Sequence, residues 1–118
     1  MPKRALIVED NPDLGAVLLE FLELLNYESE LTQGVKESVR LLKGENLFDV
    51  LIIDYTLGDG TGIDIINWCK KRLVFKDLRF ILISGYEKSR FASSLMQDPA
   101  VAFLQKPFTI AQLKETLG

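Results

Sequence analysis

The 118-residue chain has no histidine and a single cysteine, Cys69. Without histidine there is no Ser-His-Asp triad, no imidazole base and no Cys/His zinc site, and one thiol cannot close an internal disulfide. Cys69 itself, with no histidine to activate it, reads as a small buried hydrophobe rather than a nucleophile. Long apolar runs are also missing. Nothing approaches the roughly 20 residues of a membrane span, and no apolar signal segment precedes the first charged stretch. The expectation is a cytoplasmic chain that meets no membrane.

A basic excess is absent as well. With 14 basic and 17 acidic side chains the net charge is −3, which lacks the footprint of a nucleic-acid binder, so no direct nucleic-acid binding is expected. The acids are unevenly placed: residues 1–60 carry 12 acidic and 5 basic side chains, residues 61–118 carry 5 and 9. The cluster Lys70, Lys71, Arg72 reads as a solvated helix end, where cations complement the dipole. At 47% hydrophobic and 26% charged, residues 1–118 are expected to form one domain, long enough to bury a core.

What is present is an apolar run, Val50-Leu51-Ile52-Ile53, that stops on Asp54 and then on Gly58-Asp59-Gly60-Thr61-Gly62. An uninterrupted branched run reads as a strand buried on both faces, typical of a parallel sheet covered by helices. Asp54 is expected just past its carboxyl end, where open parallel sheets bind ligands. Residues 4–8 form a second such run, stopping at Glu9-Asp10-Asn11-Pro12, and residues 14–25 follow as a helix with Leu14, Val17, Leu18, Phe21, Leu22 and Leu25 inward. Residues 27–31 alternate apolar and polar, which marks an edge strand. Residues 35–43 are amphipathic, and residues 63–73 predict a helix burying Ile63, Ile66 and Cys69. Residues 78–83 are a buried strand ending on Ser84-Gly85, and 88–97 a weak helix with a stop at Asp98-Pro99. Residues 101–104 are the last strand, before Gln105-Lys106-Pro107-Phe108, and Thr109 caps a final helix with Ile110, Leu113 and Leu117 inward.

Strands alternating with helices predict a flavodoxin-like, doubly wound (βα)5 fold with a five-stranded parallel sheet in the order 2-1-3-4-5, the alternating second strand at an edge. Glu9, Asp10, Asp54, Ser84 and Lys106 each lie at or just past a strand's carboxyl end, so that topology gathers them. Three crowded carboxylates repel one another unless a cation sits among them, and ligands that are all oxygen point to a hard ion, Mg²⁺ or Mn²⁺. A lysine and a hydroxyl beside that ion suit phosphoryl oxygens. The chemistry inferred is phosphoryl transfer, with Asp54 as nucleophile, since an ionised carboxylate needs no base to activate it.

Over nearly its full length the chain resembles a response-regulator receiver domain of two-component signalling. The resemblance rests on Glu9-Asp10, on Asp54 followed by Asp59-Gly60-Thr61-Gly62, on Ser84-Gly85, and on Phe103-Leu104-Gln105-Lys106-Pro107-Phe108. It implies that Asp54 takes a phosphoryl group from a phosphohistidine of a sensor histidine kinase or histidine phosphotransfer protein. Glu9, Asp10, Asp54 and the backbone carbonyl of Thr56 would hold Mg²⁺, Lys106 would pair with the phosphoryl group, and Ser84 and Phe103 would be the switch pair. A cis peptide between Lys106 and Pro107 is expected. Output is expected through the face made by the fourth helix, fifth strand and fifth helix, toward an effector domain or a second copy. Such a chain catalyses its own phosphorylation and dephosphorylation rather than turning over a substrate as a conventional enzyme does.

The sequence departs from the family at Gly58, where proline is frequent, and at Asp98-Pro99-Ala100, which replaces a small Gly-Ala turn and predicts a short or irregular fourth helix. Other readings are a receiver module of a hybrid sensor kinase, a degenerate receiver used only for docking, and a Mg²⁺-dependent aspartyl phosphatase. The last needs a general acid near the nucleophile, and none is evident after Asp54.

Overall fold

The computed structural model describes residues 2–44 and 47–118. Five parallel strands form one sheet in the order β2-β1-β3-β4-β5: β1 Lys3–Val8, β2 Tyr27–Thr32, β3 Val50–Asp54, β4 Arg79–Ser84 and β5 Val101–Gln105. The helices between and after them are α1 Pro12–Leu24, α2 Val35–Leu42, α3 Gly62–Lys70, α4 Ser93–Met96 and α5 Ile110–Leu117. The expected strand order is the observed one.

Because successive side chains point to opposite faces of a strand, each apolar run feeds two cores. Leu6, Val8, Leu51, Ile53, Phe80 and Leu82 pack against α2 and α3 on one face. Ala5, Ile7, Ile52, Ile81 and Ile83 meet Leu18 and Leu22 of α1 and Leu113 and Leu117 of α5 on the other. β2 lies at the edge with Glu28 and Glu30 in solvent, as its alternation predicts. Local signals fix several boundaries. Asn11 Oδ1 accepts from the amides of Asp13 and Leu14 at 2.9 and 3.1 Å, with Pro12 in the first turn of α1. Asn26, at φ 64°, ends that helix. Thr61 and Asp64 form a capping box on α3, and Thr109 and Gln112 one on α5.

Several expectations need correction. Asp54 is the last residue of β3 rather than the first beyond it, and Ser84 the last of β4. On α1, Val17 is 39% exposed instead of inward, because its position on the helix turns it away from the sheet, where it lines an open groove with Leu14, Phe21 and Phe108. The third helix stops at Lys70, not at 73: a 3-10 turn, Leu73–Phe75, follows, and Leu73 is 87% exposed. Ile65, Ile66 and Cys69 are its buried residues, with Ile63 only half-buried. Burial pushes the Cys69 thiol up to about 12, so it is an inert core group.

The helix expected over 88–97 does not span that range, in line with the short or irregular fourth helix that Asp98-Pro99-Ala100 predicts. Residues Lys88–Arg90 make a 3-10 turn, Phe91 is extended at φ −102°, ψ 155°, and only Ser93–Met96 is helical. Ser89, Ser93 and Ser94 favour turns over helix interiors, and no side chain caps α4. Phe91 turns down instead, its ring 4.9 Å from that of Tyr55 and 5.7 Å from that of Phe103.

A short antiparallel ribbon, Thr56–Leu57 against Gly60–Thr61, occupies what reads in sequence as a plain glycine turn. It returns the chain into Gly62, where a Cβ would meet the Asp54 carbonyl oxygen at 2.6 Å and Ile53 Cγ2 at 2.8 Å. Gly62→Ala is therefore expected to destabilise the fold by roughly 1–3 kcal/mol through overpacking, seen as a lower urea midpoint. Gly58→Ala, where nothing lies within 4 Å of the added carbon, should leave the midpoint near that of the wild type.

Candidate functional site

Parallel strands deliver their carboxyl ends to one edge of the sheet, and the register sets what meets there. Val8 lies beside Ile53, so Glu9 follows β1 next to Asp54 on β3. Asp54 lies beside Ile83, which puts Ser84 one residue further on. Ser84 pairs with Gln105, and the Lys106 amide donates to the Ser84 carbonyl at 2.8 Å. Residues spread from 9 to 106 thus share one edge. The Lys106–Pro107 peptide is cis.

Glu9, Asp10 and Asp54 each offer a carboxylate oxygen, and these atoms lie within 4.8 Å of one another. Glu9 and Asp54 are buried, 2% and 6% exposed, while Asp10 faces solvent. Lys106 Nζ donates to Asp54 Oδ2 at 2.9 Å and to Glu9 Oε1 at 3.4 Å. The Asn11 amide donates to Glu9 Oε2 at 3.1 Å, and the Thr56 amide to Asp54 Oδ1 at 3.3 Å. Burial raises the Glu9 pKa to about 7; the Asn11 amide lowers it, and the neighbouring Asp54 adds to the rise. Burial works against the Lys106 ammonium, but Asp54 and Glu9 together outweigh it and hold that pKa above its ordinary value.

One ammonium does not balance three carboxylates. The donor set is all oxygen, without sulfur or imidazole, and one member is open to solvent, which suits a hard divalent cation that keeps some of its water. The acidic cluster therefore fits a metal ion.

Of the residues singled out from sequence, Glu9, Asp10, Asp54 and Lys106 come together. Ser84 reaches the same edge, buried, but its Oγ accepts from the Tyr86 amide at 2.9 Å. The Thr56 backbone follows Asp54 in the ribbon. Phe103 sits apart on β5, half-buried against Phe91. Sequence reasoning missed Asn11 as a partner of Glu9, although a capping Asn straight after two acids is a local signal for it. It also missed the stack of Tyr55, Phe91 and Phe103, which depends on α4 being short.

The raised Glu9 pKa carries a pH dependence. An acid whose pKa is about 7 folded and 4.5 in its ordinary state holds its proton more tightly in the fold, so its contribution is complete below about pH 4.5 and is lost as pH rises toward 7. In chelator, the urea midpoint should fall across that window, and Glu9→Gln should flatten the fall. Cation affinity should rise over the same window, since binding displaces the Glu9 proton; a pH-independent affinity would count against Glu9 as a ligand.

Comparison with known proteins agrees with this geometry. The family profile described as "Response regulator receiver domain" matches residues 5–118. Response regulator protein PilR of Pseudomonas aeruginosa is 30% identical over 98% of this chain, which spans 25% of PilR. Polar-differentiation response regulator DivK of Brucella anthropi is 24% identical, over 99% of this chain and 94% of DivK. Hybrid signal transduction histidine kinase A of Dictyostelium discoideum is 26% identical over 98% of the chain, which covers 6% of that kinase. In fold, chemotaxis response regulator CheY4 of Vibrio cholerae superposes with a TM-score of 0.89 at 20% identity, covering 99% of this chain and 97% of that one. With the profile matched from residue 5 to the last residue, the chain belongs to the response-regulator receiver family of two-component signalling.

Proposed function

We propose that residues 1–118 are a single receiver domain whose phosphoacceptor is Asp54. The observation that carries this reading is a buried carboxylate held at 2.9 Å by Lys106 inside an acidic cluster. The donor is a phosphohistidine of a sensor histidine kinase or histidine phosphotransfer protein, met in the cytoplasm. An Asp54 oxygen forms the new O–P bond as the P–N bond to the donor imidazole breaks, the ring keeping the electron pair and taking up a proton. Mg²⁺, or Mn²⁺, held by Glu9, Asp10, Asp54 and the Thr56 carbonyl, would supply the positive charge that screens the nucleophile from the incoming phosphoryl oxygens. Lys106 stays in place and pairs with a phosphoryl oxygen. The Ser84 hydroxyl, now an acceptor for the Tyr86 amide, has its proton free to donate to another.

Ser84 and Phe103 then act as the switch, altering the face of α4, β5 and α5 that an effector domain or second copy would read. The edge-on contact of Tyr55 with Phe91 and the tilted contact of Phe91 with Phe103 support a link from the residue after Asp54 to that face. The likeness to part of a hybrid histidine kinase supports a second setting, a receiver module within a longer kinase.

A small acyl phosphate with Mg²⁺ should phosphorylate the protein once, read as a single labile adduct by mass spectrometry. Asp54→Ala or chelation should abolish it; an adduct surviving either would reassign the acceptor. The output shift should be partial. The new Ser84 bond contributes about 1.5–3 kcal/mol, whereas moving a population from 1:99 to 99:1 needs about 5.5 kcal/mol. NMR spectra of the free protein should therefore already show exchange at Phe103, and a phosphoryl mimic should enlarge it. Shifts confined to the loops around Asp54 would sever the chemistry from the output face.

A further inference from the structure

The helix α2 has no cap of its own. Gly34 stands at the cap position in extended backbone, φ −164°, ψ −178°, and offers no side chain. The first two amides of the helix are received instead by Asp59, Val35 N on Oδ1 at 2.7 Å and Lys36 N on Oδ2 at 3.0 Å. Asp59 lies 24 residues beyond Val35 in sequence, at the tip of the ribbon that follows Asp54. Those two amides hold the Asp59 carboxyl below the usual carboxylate range although the side chain is exposed. The fit is close, for a Cβ on Gly34 would come within 2.7 Å of Asp59 Oδ1.

The ribbon is tied at its other end too, where the Thr61 amide donates to Asp64 Oδ2 at 2.9 Å. Thr56 stands opposite Thr61 on that second tie's rung and donates its amide to Asp54 Oδ1. Only Gly58 and Asp59 separate the two strands of the ribbon, so fixing Asp59 fixes the backbone at Thr56. A cavity lined by Asp10, Gly34, Lys36, Gly58 and Asp59 lies alongside. Released from α2, the Asp59 carboxylate could swing across it toward Asp10 and join a cluster that already has too much negative charge.

We propose that Asp59 is a positioning residue for the phosphoacceptor loop. By clasping the first amides of α2 it sets the Thr56 backbone beside Asp54 and keeps a fourth carboxylate out of the acidic cluster. The functional half of this inference rests on Asp54 being the phosphoacceptor; the clasp does not.

Two variants separate positioning from helix capping. Asp59→Ala removes the clasp and the cap together. Gly34→Ser gives α2 a hydroxyl cap of its own while its Cβ and Oγ push the Asp59 carboxylate away. The melting temperature should fall in Asp59→Ala and hold in Gly34→Ser. Both should lower Mg²⁺ affinity about tenfold, the lower end of what losing an outer partner of a metal ligand costs, and both should move the Thr56 amide resonance of the metal-free protein. Mg²⁺ affinity that falls only in Asp59→Ala, in step with its melting temperature, would reduce Asp59 to a helix cap and overturn the proposal. So would a Gly34→Ser protein with the wild-type Thr56 resonance. If Thr56 moves in both variants while the wild type neither binds Mg²⁺ nor accepts a phosphoryl group, the clasp stands and the reading of Asp54 falls.

Discussion

The structure turns on one electrostatic constraint: Glu9 and Asp54 are buried side by side, and the ammonium of Lys106, with the amides of Asn11 and Thr56, partly offsets their charge. Buried charge without a partner is strongly unfavourable, and a carboxylate pair left alone would take up a proton rather than stay ionised. Lys106 stands 52 residues from Asp54 and 97 from Glu9 in sequence, so the compensation exists only when all the strands between are in order. β1 must lie beside β3, β4 beside β3, and β5 beside β4, for the lysine to reach across. Sheet topology and site electrostatics are one requirement here. Even so the balance is incomplete, which leaves the edge attractive to a hard cation and keeps Glu9 titrating near neutrality.

Much of this was legible in the sequence because it depends on strong, local and periodic signals. Four runs of branched apolar residues stop on polar groups, and the βα alternation allows few ways to stack them. The acids, the serine and the lysine at those stops then fall on one edge without any distance needing to be known. What was not legible depends on contacts between segments far apart. Asp59 reads as a turn residue until the Val35 and Lys36 amides arrive beside it. Ser84 reads as a hydroxyl facing the site, yet it is bonded within its own loop to the Tyr86 amide. The stretch from Lys88 to Gln97 has helical spacing at Phe91 and Leu95, but its serines and missing cap leave too little to sustain a helix against the burial that Phe91 gains on Tyr55 and Phe103.

The shortness of α4 changes what the proposed output face can be. A full helix there would present a continuous ridge of side chains. This chain offers a 3-10 turn, an extended Phe91 and a single helical turn that leans on β5. Lys70 pairs with Asp98 just beyond that turn, tying α3 to the far end of the segment. The segment is thus held at its aromatic centre and at its end, while its surface, from Gly85 to Arg90, is exposed. A change at Ser84 would reach this face through side-chain packing around Phe91 rather than through the rigid shift of a helix.

A division runs through the helices that explains where such change can occur. The helices α1, α3 and α5 carry their own caps, from Asn11, Thr61 and Thr109, so their ends are set by residues next to them in the chain. The helices α2 and α4 lack an own cap, and each is defined by contacts borrowed from elsewhere: α2 from Asp59 in the loop after Asp54, α4 from the core on which Leu95 and Met96 pack. Local caps make a segment indifferent to its surroundings, whereas borrowed contacts make it follow them. A perturbation at the Asp54 edge therefore has two compliant elements to act on, α2 on one side and α4 on the other. The three self-capped helices and the buried strands have no comparable dependence and act as the frame against which those two can move.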